Sequence, residues 1–435
     1  MIDREPHMGE EGFEGNSHTG LAAATLGFFV GFAGVALIGP ASTEFQEAMG
    51  LSGLLVGLLV AAPQLAGSLL RIPFGALVDR TGGKKPFLAL LSLSLVGMAG
   101  LIAVLFFAYP DGLTLELYPV VFVFAVLSGC GVATFSVGTA QVSYWFPEDR
   151  QGLAQAVYAG FGNSSPGIST LALPVMFVAL GLTGAYVAWF VLLLIGTVVY
   201  AATAADAYFF QMRQEGVPEE RAKERAKRMG QELFPAGGGE DIVESFKSAS
   251  TVRATWLFVA LYFTSFGGFL ALTTWLPTYW TAFHGFGVGT AGALTAIAFT
   301  LLATFIRIPG GAVSDSVGGE ITALVSYTVV LVGATILVFA DLFVVSLVAT
   351  ILVAAGMGVA NAAVFGMVPE YIPDAVGSAS GLVGGLGAFG GFVVPPMLGI
   401  LVDLFGPAGY SYGFGIYIAL AVLAIGVTLA LLRRD

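Results

Sequence analysis

The sequence predicts an all-α membrane protein with twelve transmembrane helices in two pseudo-symmetric six-helix halves. Three observations predict it. The 435 residues are 57% hydrophobic and 10% charged, where soluble chains carry roughly 25% charged residues. Apolar runs of about 20 residues, enough to cross the hydrocarbon core, recur along the whole chain. One arginine-led nonapeptide occurs twice inside such runs, as RIPFGALVD from Arg71 and RIPGGAVSD from Arg307.

Taken in order, the first 20 residues lack an apolar core and read as a polar tail, not a cleavable leader. Six apolar runs follow, at 21–45, 51–79, 86–109, 117–146, 151–181 and 183–210. They define an N-terminal bundle over residues 21–210. A polar segment at 211–251 comes next, with Arg213, Arg221, Lys223, Arg225, Lys227, Arg228 and Lys247 among glutamates. Its PEERAKERAKRMGQEL pattern suits either a solvated linker helix or an amphipathic helix on the membrane surface. Six further runs, at 252–282, 288–316, 320–340, 342–370, 376–403 and 408–432, define a C-terminal bundle over 252–432.

Charge fixes the expected orientation. With the amino terminus inside, one face receives Arg4, Arg80, Lys84, Lys85, Arg150, the central segment, Arg253, Arg433 and Arg434. The opposite loops hold Glu44, Glu47, Asp111, Glu116, Asp341 and Asp403, with no lysine or arginine. The positive-inside rule then makes both termini cytoplasmic in a multi-pass inner (plasma) membrane protein. The net charge of −11 fits a high-salt cytoplasm as well as it fits drift in solvated loops.

The same inventory narrows the chemistry. Cys130 is the single cysteine, so no internal disulfide forms. His7, His18 and His284 lie in the tail or near a loop, and no His, Cys and carboxylate cluster is set to hold a metal. The spans offer Ser and Thr without a His, Asp or Glu to activate them, which argues against an enzyme. No cofactor, nucleic acid or output domain is expected, and the lipid bilayer and a small solute are the expected partners of a monomer.

Only Arg71 and Arg307 remain inside spans. A charge at a helix centre costs about 2.5–3.5 kcal/mol on insertion scales, and arginine does not shed its proton to escape that cost. No Asp or Glu lies well inside any span to pair with them. The expected counter-ion is therefore a bound anion, and the planar guanidinium favours planar oxyanions. The two arginines are 236 residues apart, at matching depth in spans two and eight. Gly152, Gly160 and Gly162 likewise match Gly377, Gly385 and Gly387, each 225 residues later. The halves are thus parallel repeats, with a site expected between them near the midplane. Small residues crowd span five (AGFGNSSPGIST) and span eleven (GLVGGLGAFGGFVVPP), where Gly160, Gly162, Gly385, Gly387, Gly390 and Gly391 permit close helix contact. Span eleven reads as uninterrupted and follows no strand, so its glycines are not a dinucleotide loop.

These residues resemble the major facilitator superfamily. GALVDRTGGKKP, with Gly75, Asp79 and Arg80, looks like its gating motif between spans two and three. GAVSDSVGGE, with Asp315, is a degenerate copy that has Ser316 in the Arg80 position. Within the superfamily the chain resembles the nitrate/nitrite porters through the paired RIP arginines, AGFGNSSPG, GVANAAVFGMVP and GGLGAFGGFVVP. The span-ten string departs from the family pattern, with Ala360 and Ala362 flanking Asn361 and Gly366 where a lysine is common.

The resemblance implies a carrier of nitrate and nitrite working by alternating access. It implies Arg71 and Arg307 as the substrate arginines, Asn163 as a substrate-facing amide, and Tyr262, Phe266 and Phe135 as walls of the site. Phe32 is a further candidate of that kind. Tyr262 and Phe266, four residues apart, share a helix face; with 35 Phe in the chain, ordinary packing also accounts for Phe135 and Phe266. Nitrate/nitrite exchange, proton-coupled nitrate uptake, and transport of another planar anion such as formate or oxalate all remain open.

Overall fold

A computed structural model describes residues 12–235, 242–372 and 376–433. His7, Arg4, Arg434 and the start of the tail lie outside the described residues. Eleven helical stretches are long and apolar enough to cross a membrane. One of them, Arg150–Thr203, is two spans parted at Gly181, whose φ of 70° and ψ of 173° turn the chain back. Glycine adopts that conformation without a Cβ penalty. The twelve spans of the sequence reading are therefore present, as the two pseudo-symmetric halves expected.

Span one covers Ser17–Met49, span two Gly53–Thr81, span three Lys84–Ala108 and span four Leu115–Trp145. Spans five and six share Arg150–Thr203. Spans seven to twelve are Arg253–Ala282, Val288–Val317, Gly319–Phe339, Phe343–Tyr371, Ser378–Tyr412 and Gly415–Leu432. An even number of crossings puts both ends of the chain on one face, here called the termini face; the other is the far face.

Several ends differ from the sequence reading for local reasons. The first helix starts at Ser17 because Asn16 caps it: the Asn16 side chain accepts from the Thr19 N–H, and the Thr19 hydroxyl accepts from the Asn16 N–H, both at 2.9 Å. His18 thus sits in a helix, not in the tail, and its ring meets Phe146 edge-on at 6.4 Å. Glu44 and Glu47 are not in a loop. They ride on a short helix, Ser42–Met49, and Glu44 accepts from the Tyr109 hydroxyl at 2.8 Å. Span six ends at Thr203, and the buried residues Ala204–Ala207 lead into a helix at Tyr208–Gln214. The basic segment does form a helix, Glu219–Arg228, carrying Lys223–Glu219 and Arg228–Glu224 ion pairs at 2.7 and 2.6 Å. Span eleven is interrupted: its helix breaks at Phe389, between Val376–Ala388 and Gly390–Phe405.

The two halves meet through small residues. Ser42 and Thr278, 236 positions apart like the two arginines, share a 2.6 Å hydrogen bond. Equivalent positions of the two repeats touch there, as positions on a pseudo-twofold axis must. Spans two and eleven run along each other: Gly53 backs onto Gly399, and Gly57 onto Pro395. Asp403 accepts from the Gly53 and Leu54 N–H groups at 2.6 and 2.8 Å, capping span two from the opposite half. Spans five and eight meet where Gly292 faces the Thr170 carbonyl and Gly167 faces Leu301. These contacts gather between the level of the arginines and the far face.

A Cβ on Gly57 would overlap the Pro395 carbonyl oxygen and stand 2.7 Å from the Pro396 Cα. Gly57→Ala is expected to cost about 1–3 kcal/mol, since two backbones must separate. Gly160→Ala, where a Cβ meets no heavy atom within 4 Å, is expected to be neutral or stabilising by up to about 1 kcal/mol from helix propensity. Unfolding of both variants in detergent checks the contrast; equal losses would show that close packing is not what Gly57 supplies.

Candidate functional site

Each repeated arginine stands just after a break in its helix. Proline at the third position of RIP has no N–H to donate to the carbonyl four residues back, and its ring crowds that carbonyl. For Pro73 that residue is Leu69, where the first helix of span two ends; for Pro309 it is Phe305, where the preceding helix of span eight ends. Leu70 and Ile306 both adopt ψ −15° at the joints, and new helices open at Arg71 and Arg307. The same two-residue device thus aims an arginine inward in each half.

The Arg71 side chain is 1% exposed. Its Nε donates to the Gly67 carbonyl at 3.1 Å, and one terminal nitrogen donates to the Gly384 carbonyl of span eleven at 3.3 Å. The other terminal nitrogen is buried and has no hydrogen-bond partner among the described residues. The guanidinium carbon lies 5.0 Å from the Phe135 ring centre and 5.3 Å from that of Phe266. Arg307 is only partly buried, and its guanidinium carbon lies 5.8 Å from the same Phe266 ring. One aromatic ring is therefore shared by both cations, within the range of cation–π attraction. Among the described residues neither arginine forms an ion pair with a carboxylate.

Tyr262 is buried and stacks on Phe266 at 4.9 Å with 16° between planes, and its ring also meets Phe365 at 5.3 Å. The Arg307 guanidinium and the Tyr262 phenol are neighbours. A π-turn at Phe263–Gly267 reshapes span seven at this point. Asn163 is 2% exposed, and its main-chain carbonyl accepts from Thr304, one turn before Arg307, at 3.3 Å. Its Nδ2 donates to the Ala159 carbonyl at 2.7 Å, which leaves the buried Oδ1 without a partner. An amide NH2 carries two donors, and only one is spent on Ala159.

Phe32 is buried one ring away from this group. It packs on Phe28 at 4.9 Å, and it is Phe28 that meets Phe135 at 5.5 Å and Tyr158 at 5.1 Å. Sequence reasoning missed Phe28, Tyr158, Phe365 and the Gly384 carbonyl. Phe28 lies one turn before Phe32, and Tyr158 five residues before Asn163, so helical spacing from known candidates was the available signal.

The glycines of span eleven let it press against spans two and seven. A Cβ on Gly385 would stand 2.8 Å from Ile72, on Gly387 2.7 Å from Tyr262, on Gly390 2.9 Å from Gly267, and on Gly391 2.8 Å from Leu270. Gly162 of span five lies against the Phe28 ring, whereas Gly160 faces open space. Gly75 faces Ser136 of span four, where a Cβ would come within 3.3 Å, and Asp79 accepts from the Tyr144 hydroxyl at 2.6 Å. Arg80 and Asp315 lie on the last turns of the helices that begin at Arg71 and Arg307, both exposed. His284 lies past the far end of span seven, and its Nε2 meets the Tyr279 and Ser346 hydroxyls at 3.1 Å. Burial holds that imidazole below its ordinary pKa and it is remote from the arginines in sequence and span.

Comparison with known proteins supplies the family. The model of the Major Facilitator Superfamily matches residues 24–395 and 284–435. "Probable nitrate/nitrite transporter NarK2" of Mycobacterium tuberculosis is 31% identical over 414 residues, 94% of each chain. "Probable nitrate/nitrite antiporter NarK1" of Thermus thermophilus is 28% identical, over 86% of this chain and 83% of that one. "Nitrite extrusion protein" of Bacillus subtilis is 26% identical, over 91% and 90%. Among solved structures, the xylose transporter XylE from E. coli superposes with a TM-score of 0.71 at 14% identity, covering 96% of this chain and 99% of that one. At that identity the likeness concerns the fold.

Lysine at position 71 would keep the charge but lose the planar fork that meets two carbonyls and leaves one terminal NH2 group without a partner among the described residues. Arg71→Lys is expected to weaken anion binding by about tenfold or more while the purified protein stays folded and monodisperse. Calorimetric titration of the variant checks this, and an unchanged affinity would remove Arg71 from the site.

Proposed function

The chain belongs to the nitrate/nitrite porter family of the major facilitator superfamily, and on that premise we propose that it carries nitrate and nitrite across the membrane by alternating access. The observation that carries this reading is the pair of arginines facing one aromatic ring with no carboxylate paired to either among the described residues. Each half contributes one arginine, and a planar monoanion between them is the charge partner that both lack. Arg71 is held by two carbonyls with one terminal NH2 group to spare, so it is ready to bind before the anion arrives.

The six-helix bundles at 21–210 and 252–432 act as the rocking units, joined by the segment at 211–251. Glycines of spans five and eleven provide the surfaces that slide or separate. The charge asymmetry supports both termini in the cytoplasm: Arg80, Lys84, Lys85, Arg150 and the basic helix Glu219–Arg228 share the termini face, Asp111 and Asp341 lie in far-face connections, and Glu116 is at the far end of span four. The far face is then the outside of the cell membrane.

The same charges favour exchange. The two arginines carry two positive charges, one of them fully buried, and a bound monoanion cancels one. A loaded carrier therefore changes face more readily than an empty one. Near the arginines the described titratable neighbours are Tyr158 and Tyr262, phenols that hold their protons at neutral pH. Among the described residues, no carboxylate or imidazole is paired with either arginine to cycle a proton.

Proteoliposomes loaded with nitrite are expected to take up external nitrate several times faster than empty ones, with little effect of a pH gradient. Fast uptake into empty vesicles, driven by an inward proton gradient, would replace exchange by proton symport. Competition by formate or oxalate in the same vesicles measures how far selectivity extends to other planar anions.

A further inference from the structure

Span two carries a further buried polar side chain on the far-face side of Arg71. Gln64 lies seven residues toward the far face, about 10 Å along the helix. It is fully buried, and neither its Oε1 nor its Nε2 has a hydrogen-bond partner among the described residues. Its main-chain carbonyl is satisfied, accepting the Ser68 hydroxyl at 2.6 Å. The amide alone is left over. A buried amide without partners bears the full cost of its lost hydration, so this arrangement is unfavourable as it stands.

The surroundings explain why no partner reaches it. Gln64 sits in the seam between spans two and eleven, which belong to opposite halves. A Cβ on Gly391 would stand 3.2 Å from the Gln64 Cγ and 2.8 Å from the Leu270 Cβ. Outward along the seam come the Gly57–Pro395 contact, the Gly53–Gly399 contact and the Asp403 cap. For the arginines to be reached from the far face, contacts between the halves on this side have to part. Parting this seam uncovers Gln64 before it uncovers Arg71.

We infer that Gln64 is an anion-binding residue of the far-face half of the path, which meets the solute ahead of Arg71 when the seam opens. Its Nε2 donates to an oxyanion without adding charge, so it passes the ion inward instead of trapping it. Its lack of partners in the closed seam works in the same direction, because opening restores its hydrogen bonds. This inference rests on the reading of the chain as an anion carrier.

The test is sided nitrate exchange in oriented proteoliposomes, with half-saturating nitrate measured separately at each face. Gln64→Leu has a side chain of similar size without the amide. It is expected to raise half-saturation at the far face by about tenfold, the loss of one hydrogen bond to a charged group, and to leave the termini face unchanged. No change at either face, or equal rises at both, would overturn the inference, the latter marking a general packing defect. Should Gln64→Leu fail to fold, Gln64→Cys in a Cys130→Ser background gives a second measurement, since Cys130 is the only native cysteine. A membrane-impermeant thiol reagent applied at the far face is expected to label it, and nitrate to slow the labelling; absence of labelling from that face defeats the inference. A wild-type protein that carries no nitrate would instead defeat the parent reading, which the same vesicles reveal first.

Discussion

The cost of holding Arg71 inside the protein without a carboxylate organises the rest of the site. Its partners are weaker individually: two carbonyls, at 3.1 and 3.3 Å, and two ring faces. Each of those partners makes a demand. The Gly384 carbonyl belongs to the opposite half, so span eleven must come close to span two, and Gly385 and Gly391 allow that approach while Gly387 and Gly390 let it press on span seven. The Phe266 ring must lie over both guanidiniums, and Tyr262 stacked behind it and the π-turn beside it set its position. A glutamate next to Arg71 would relieve all of these demands and also fill the place of the anion.

Much of this was legible in the sequence because the membrane makes charge conspicuous. Arg71 and Arg307 stand out in apolar runs, and their common spacing marks the repeat. Tyr262, Phe266 and Phe135 came from the family resemblance and do border Arg71 or Arg307 in the structure. Phe32 shows the limit. In a chain with 35 Phe and 14 Tyr, composition does not distinguish a ring in the site from one behind it, and Phe28 is the nearer of the two. Helix irregularities were also hidden. The π-turn in span seven inserts a residue without leaving a compositional trace, and the break at Phe389 lies inside an unbroken apolar run. Acidic Glu44 and Glu47 looked like loop residues because polarity was the only cue to a span's end. Gln64 was passed over for a different reason: one neutral amide in an apolar run is common, and only its lack of partners sets it apart.

The proline joints show how a repeat builds a site from a rule of backbone chemistry. Pro73 and Pro309 remove one hydrogen bond from their helices at the same place relative to the arginine. The helix is reset there, and the arginine begins a new segment in place of lying along an old one. Duplication of the joint gives two inward-facing cations related by the axis on which Ser42 meets Thr278. The alternating access proposed for this chain calls for that symmetry in outline, since it presents the same groups to both faces.

Symmetry is broken where function requires a direction of closure. Arg71 is buried and tied to the other half through Gly384, whereas Arg307 stays partly exposed and neighbours Tyr262 of its own half. The loop after Arg71 keeps Arg80, Lys84 and Lys85, while the loop after Arg307 has Ser316 and Glu320 instead. Arg71 thus bridges the seam between the halves, whereas Arg307 keeps its aromatic contact within its own half. On the proposed reading, an anion paired with Arg71 lowers the cost of breaking the Arg71–Gly384 contact, because the guanidinium no longer depends on that carbonyl alone. Binding at the arginines and release of the seam between spans two and eleven are, on that reading, coupled through this one contact.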